Sequence, residues 1–327
     1  MPVFPMKSPQ VDPKTTMTAR FESPYFPSGT SCRWLRGNHH GHSTVSDGKA
    51  EPMEEVAAYE TAGYDYFALS EHDTFLNPDQ LQSRTAMCVL AAVEVTSCYG
   101  QTLMFLGADQ ALPRKELEPR QIMEQVHTAG GLFVFNHSNW KPIRDYATDG
   151  LLDTMIGLKG MEIYCGVIER LPGEAKATDR WDRLLSKGWR VFGHGTDDQH
   201  EAGDRFIAWN CVQWPQGEEV NADGIVEALA SGRFYASTGV EIESVGVAGG
   251  GEQAIVESDA DEIHWIGSHG VILKKERGGS GSIAALEVVG GLGGNAASES
   301  RPVAYVRAEC LGRGSAVAWT QPFWVTE

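Results

Sequence analysis

The sequence has no run of ~18 apolar residues, so it offers no helix able to cross a membrane. It is poor in cations: 27 Lys and Arg stand against 44 Asp and Glu, a net charge of −17. That balance argues against a nucleic-acid partner, whose phosphates require basic patches. It does not exclude a small anionic substrate, because bound divalent cations reverse the field locally whatever the total charge. The six cysteines are scattered and no CxxC pair occurs. In a chain of this length that pattern suggests free thiols and a cytoplasmic setting. The first 31 residues are rich in Pro, Ser and Thr but lack an apolar h-region, so residues 1–32 read as an irregular arm and not as a secretory signal.

What is present suits a sizeable core: 42% of the 327 residues are apolar, and nine are Trp. From about residue 33 to 239, short apolar runs alternate with helical patterns. Tyr66–Ser70, Leu132–Asn136, Met161–Tyr164 and Arg190–Phe192 suit buried parallel strands. Between them, one helix is expected from Pro52 to Gly63, and another carries Ile122, Met123 and Val126 before Gly130. A third is capped by Thr178 and ends at Gly188, and a fourth ends at Gly232. Repeated βα units favour a parallel barrel or a doubly wound sheet. Beyond Gly239 helical periodicity fades, and runs such as Ile263–Ile266, Val303–Val306 and Val317–Trp319 predict a small antiparallel β-sandwich-like module over 240–327. Gly279–Gly281 and Gly290–Gly294 are expected turns within it.

Eight of the ten histidines fall between residues 39 and 200. His40 and His42 are two apart and project from one face of a strand, half of a natural metal site. Asp47 returns from a turn to add a hard oxygen. His72 follows the apolar run ending at Leu69, a position that lies at the mouth of a β/α barrel. Glu94 is a lone carboxylate among Ala91, Ala92, Val93 and Val95, costly to bury without a cation. His137 follows the run 132–136 in the same way, and Asp198 with His200 repeats the two-residue spacing. His39 is a candidate to orient substrate or to cap its strand, and Arg170 and Arg205 are candidates to meet an anionic substrate. His194 reads as a polar residue of the mouth or an extra ligand, and His127, His264 and His269 as structural or surface residues.

These residues carry a family resemblance. His40-x-His42-x-x-x-Ser46-Asp47-Gly48, Leu69-Ser70-Glu71-His72, Glu94, Asn136-His137 and Asp198-x-His200 resemble the PHP (polymerase and histidinol phosphatase) superfamily in order and spacing. Gly131–His137, Gly232–Gly239 and Ala318–Pro322 resemble, more narrowly, its carbaryl-hydrolase-like branch. The resemblance implies an α/β fold, a distorted seven-stranded TIM-like β/α barrel over 33–239, holding two or three divalent ions of Mn, Zn or Fe. His40, His42, Glu94 and Asp198 would hold one ion, Glu94 would bridge to a second shared with His137, and Asp47, His72 and His200 would hold a third. A family histidine is missing near Thr102. Asp198, Glu94 and His200 are the implied catalytic residues of a hydrolase in which a metal-activated hydroxide attacks a small-molecule phosphoester. The alternatives are an aryl ester or carbamate hydrolase and a catalytically weak metal-binding protein.

Overall fold

In the computed structural model of the chain, residues 19–141, 145–291 and 305–326 are described. Most of the expected arm, up to residue 18, therefore lies outside the described residues, as do Leu292–Gly294 and Val303–Ala304. A short strand β1 (Arg20–Glu22) precedes β2 (Cys32–Asn38), α1 (Pro52–Thr61), β3 (Tyr66–Leu69), α2 (Asp79–Gln82), β4 (Cys88–Thr96) and β5 (Thr102–Leu106). Then come α3 (Pro119–Thr128), β6 (Leu132–Phe135), α4 (Asp149–Thr154), β7 (Gly160–Cys165), α5 (Thr178–Ser186) and β8 (Phe192–Thr196). This half ends with β9 (Trp209–Pro215), α6 (Ala222–Ser231) and β10 (Phe234–Ser237).

The helices start and stop where their punctuation directs. Pro52 and Pro119 each open a helix whose preceding glutamate forms a reciprocal capping box, with Glu54 and Gln121. Asn221 caps α6 by accepting from Gly224 N, and Gly232 ends it in the left-handed conformation at φ 80°. A side chain at Gly232 would also strike the Phe192 ring, so the position requires glycine twice over. Thr178 is the first residue of α5 and not its cap, which is Ala177.

The strands run β10-β9-β2-β3-β4-β5-β6-β7-β8 across one large sheet. Pairing is parallel from β2 to β4 and from β6 to β8, whereas β5 is antiparallel to both neighbours. The parallel sheet expected from the sequence is therefore mixed. Only Ser97–Gln101 separate β4 from β5, too few for the crossover that parallel pairing needs. Arg190 and Val191 lie ahead of β8, which begins at Phe192 and extends through Gly195 and Thr196, residues expected to follow the strand. The sheet curls: Gly195 N in β8 donates to Asn210 Oδ1 of β9 at 3.0 Å, and beyond the strand ends Gly41 pairs with Gln199.

Alternation assigns the two faces. Val93, Val95, Phe105, Phe133, Phe135, Met161 and Ile163 pack outward with the apolar residues of α3, α4 and α5. Ala92, Met104, Leu132, Val134 and Phe192 point the other way, into a core shared with Ile225, Ala228 and Leu229 of α6. Further along that inner face the apolar residues give way to Glu94, Thr102, Asn136, Glu162 and His194. The strands thus present polar groups at one end of an apolar interior.

The rest of the chain is β-rich. It comprises β11 (Ile242–Ala248), β12 (Gln253–Ser258), β13 (Glu262–Gly267), β14 (Val271–Arg277) and β15 (Ser280–Ala284). After α7 (Ala285–Gly291) follow β16 (Tyr305–Leu311), β17 (Val317–Thr320) and β18 (Phe323–Thr326). Of the expected glycine turns, Gly279 lies in a bend but Gly281 is inside β15, and Gly290 and Gly291 end a helix. β17 pairs with β10, so these strands continue the large sheet, while β11, β12 and β15 form a separate sheet against the same apolar core. The fold is mixed α/β around one large sheet.

Arg307 in β16 joins the two halves. Fully buried, it meets Asp182 of α5 through Nε at 2.9 Å and a terminal nitrogen at 2.7 Å, and Glu309 at 3.0 Å. Tyr305 adds a bond to the same Asp182 carboxylate at 2.8 Å. Removing one member of such a network strands the opposite charge in the interior. Arg307→Ala should lower the unfolding free energy by about 3–5 kcal/mol, measured by urea denaturation. A loss under about 1 kcal/mol, typical of an exposed pair, would show that the network does not brace the two halves.

Candidate metal centre

The polar end of the curled sheet gathers five histidines and three carboxylates. The segment after β2 supplies His40, His42 and Asp47, and the segment after β8 supplies Asp198 and His200. The two segments are zipped together: Asp198 N donates to His40 O at 3.1 Å and His42 N to Gln199 O at 3.0 Å. Gly41 permits this approach, because a Cβ there would overlap the Gln199 side chain. The turn carrying Asp47 is held by Glu71, fully buried, which accepts from the hydroxyls of Ser43 and Ser46 and from Ser43 N at 3.1 Å.

Two groups have the geometry of ion sites. His40, His42, Glu94 and Asp198 form one, and His42, Asp47, His72 and His200 form the other, with His42 common to both. In the first, all buried, His40 Nε2 lies 3.1 Å from Asp198 Oδ1 and 3.3 Å from Glu94 Oε1. His42 Nε2 lies 3.1 Å from Asp198 Oδ1 and 3.4 Å from Glu94 Oε2. In the second, Asp47 sits 3.5 Å from His72 Nε2 and 3.4 Å from His200 Nε2. The Nδ1 of His200 is occupied by the Asp198 carbonyl at 2.9 Å, which leaves Nε2 free to face Asp47.

The donor set fits a divalent cation. His40 Nε2, His72 Nδ1 and Glu94 Oε2 are buried and make no hydrogen bond, although complementary atoms lie nearby. Buried polar atoms are rarely left so. Ligand bonds of ~2.1 Å in tetrahedral array hold donor atoms roughly 3.4 Å apart, matching the spacings here. Charge leads to the same place. Burial alone would lower the His40 pKa, but Asp198, Glu162 and Glu94 together raise it well above the usual imidazole range. The pocket therefore demands positive charge, as protons or as metal. His137 at φ 24° and Asp198 at φ 53° are strained non-glycine residues, a condition that clusters at functional sites.

His137 Nε2 stands 3.2 Å from Glu94 Oε1, whereas His72 meets the other oxygen of that carboxylate. Where the resemblance expects a further imidazole, Thr102 Oγ1 lies 3.3 Å from His137 Nε2 and 2.9 Å from Tyr146 OH. The Tyr146 ring packs 4.9 Å from His137, and Trp140 stands 5.3 Å from the same imidazole.

The three expected substrate contacts already have partners inside the protein. His39 is fully buried edge-on to His194, 5.0 Å between rings, with its pKa lowered to about 4 by burial. Arg170 is paired in bidentate fashion with Asp204, and Arg205 with Glu55. His194 lies in β8 against Phe234 with neither ring nitrogen bonded, so it belongs to the interior and not to the ion-site groups. His127, on α3, and His264, paired with Glu262, lie outside those groups as well.

Sequence reasoning missed Glu162, Asp197 and Tyr146. Glu162 is a lone acid between Met161 and Ile163, the same signal that marked Glu94. Asp197 is buried and accepts from Tyr59 OH at 2.6 Å and from the backbone of Phe206, Ile207 and Ala208, fixing the loop beside the centre. Tyr146 carries no local signal.

No family model matches the chain. No curated protein matches it. Among solved structures it is similar to a two-domain protein from Bacteroides vulgatus containing a predicted PHP-like metal-dependent phosphoesterase, at TM-score 0.51 and 16% identity, over 89% of this chain and 95% of that one. The likeness is one of fold. Weaker similarities are to a candidate metal-dependent phosphoesterase from Bifidobacterium adolescentis (TM-score 0.43, 15% identity, 60% of this chain and 96% of that one) and to an amidohydrolase from Chromobacterium violaceum (TM-score 0.41, 15% identity, 59% and 96%).

The Thr102 hydroxyl reaches His137, which stands against Glu94, so an imidazole at position 102 would face the same point. Thr102→His should let the protein retain about one more ion per chain against chelator, read by elemental analysis after dialysis with EDTA. Equal metal content in both proteins would mean that Tyr146 closes the position whatever residue stands at 102.

Proposed function

We propose that this chain is a metal-dependent hydrolase of ester bonds in a small molecule, with a phosphoester as the leading substrate class. The observation that carries the reading is the buried convergence of His40, His42, Glu94 and Asp198, in which His40 Nε2 and Glu94 Oε2 make no hydrogen bond. In this reading β2 to β8 are the seven strands of a distorted barrel. His40, His42, Glu94 and Asp198 would hold one ion, and Asp47, His72 and His200 a second, with His42 close to both. His137 would complete a third position with Glu94 only where Thr102 and Tyr146 leave room. Bound ions of this kind lower the pKa of water and polarise the ester oxygen. The protein's own part is to hold the ligands rigid through the zipped 40–42 and 198–199 segments and to present Asp198 and Glu94 as anions. A reducing, cytoplasmic setting fits the six free thiols.

A specific observation favours a second substrate class. Trp140 and Tyr146 form an aromatic wall beside His137, with rings 5.2 Å apart. Arg170 and Arg205 are each paired with a carboxylate, which offsets the charge either would offer a phosphate. An aryl ester or carbamate would suit such a wall.

Metal-loaded protein assayed in parallel on p-nitrophenyl phosphate, bis-p-nitrophenyl phosphate, p-nitrophenyl acetate and an aryl carbamate separates the two classes. Protein that holds no Mn, Zn or Fe and turns over none of these would defeat the hydrolase reading. Asp198→Asn preserves shape but removes the charge at the centre of the first group. It should reduce turnover of whichever substrate is accepted by at least ~100-fold with the fold retained by circular dichroism. Near-normal turnover would mean that the reaction happens elsewhere.

A further inference from the structure

We propose that Glu162 is the positioning residue of this centre, fixing the His40 tautomer and the His137 backbone at once; this rests on the metal-centre reading above. Glu162 lies on β7, is buried, and is outside both groups able to hold an ion. Its Oε1 stands 2.5 Å from His40 Nδ1 and accepts from Thr196 Oγ1 at 2.6 Å. Its Oε2 accepts from the His137 backbone N–H at 2.6 Å.

The chemistry of these contacts leaves little freedom. Placing the imidazole proton on Nε2 would set a bare Nδ1 lone pair against a carboxylate oxygen at 2.5 Å. A proton therefore belongs on Nδ1, which leaves Nε2, facing Glu94 and Asp198, as the nitrogen whose lone pair a bound ion would take. That nitrogen is the atom found buried and without a hydrogen bond. A carboxylate behind a ligating imidazole fixes its ring orientation and raises its basicity. The second oxygen acts on a different residue. His137 sits at φ 24°, a conformation its own side chain disfavours, and the charge-assisted bond to its N–H holds it there. A single side chain thus aims one imidazole through its ring and another through its backbone.

The test uses the full chain with ¹⁵N-labelled histidine. A strongly downfield ring proton coupled to His40 Nδ1 is expected in wild type, both with chelator and with zinc, and should vanish in Glu162→Gln. The same variant should release zinc to a competing chelator at roughly 10- to 100-fold lower chelator concentration than wild type. Glu162→Asp, with the charge retained but withdrawn by one methylene, should fall between the two. Absence of the Nδ1–H signal from wild type overturns the proposal even if Glu162→Gln does not fold. Its persistence in Glu162→Gln, or equal zinc retention by both proteins, overturns it as well. Wild-type protein that shows the signal but binds no zinc would sink the metal-centre reading while leaving the tautomer assignment standing.

Discussion

Glu94 is a charge that the apolar sheet cannot hold by itself. It lies on the inner face of β4, fully buried, and among the described residues Asn136 is its one hydrogen-bonding side chain that carries no titratable group, at 2.9 Å. An isolated carboxylate in such a place would cost several kcal/mol or take up a proton. Around it stand His40, His42, His72 and His137, each with a ring nitrogen between 2.9 and 3.4 Å from one of its oxygens. Burial pushes the Glu94 pKa up, yet the surrounding imidazoles, His72 and His40 foremost, hold it well below the ordinary carboxylate range. The rest of the centre can be understood as the set of partners this one buried anion requires.

Those partners come from separate strand ends, so their geometry is only as good as the joints between the strands. Hydrogen bonds join the segments where this matters. Asp198 N bonds to His40 O, Gly41 pairs with Gln199, and Asp197 ties the loop at 206–208 to α1 through Tyr59. Burial raises the Asp197 pKa to about 6, against four hydrogen bonds that lower it. Farther out, Arg307 and Asp182 brace α5 against β16, and β17 continues the sheet from β10. The C-terminal strands therefore support the curled sheet by hydrogen bonds along one edge and by a buried ion pair across its outer helices.

Much of this was legible in the sequence because a strand has a period of two and a βα unit punctuates itself with Pro and Gly. His40 with His42, and Asp198 with His200, announce themselves by that spacing. Glu94 does so by being a lone acid in an apolar run. The helices expected at Pro52, Ile122 and Ile225 form where the capping residues direct. The antiparallel β5 and the helix ending at Gly290–Gly291 were not legible, because short apolar runs do not state their direction and glycines read as turns. His39, Arg170 and Arg205 were singled out by residue type alone, and type does not reveal that a carboxylate already waits for each arginine.

Thr102 shows where such reading ends and why. The sequence states plainly that no imidazole stands there, but it cannot state what fills the gap. The filler, Tyr146, arrives from a loop 44 residues along the chain and meets both the Thr102 hydroxyl and the His137 ring. No periodicity links a loop residue to a strand residue, so the contact exists only in three dimensions. Its consequence is chemical. A phenol paired with a hydroxyl is neutral and already hydrogen-bonded, whereas an imidazole would offer a lone pair. On this flank His137, which meets the buried anion Glu94, is backed by hydrogen-bonded neutral groups. On the other flank Asp47, His72 and His200 converge with an open face, and Asp47 is substantially exposed. The centre is therefore asymmetric, closed by aromatic rings at His137 and accessible from solvent near Asp47.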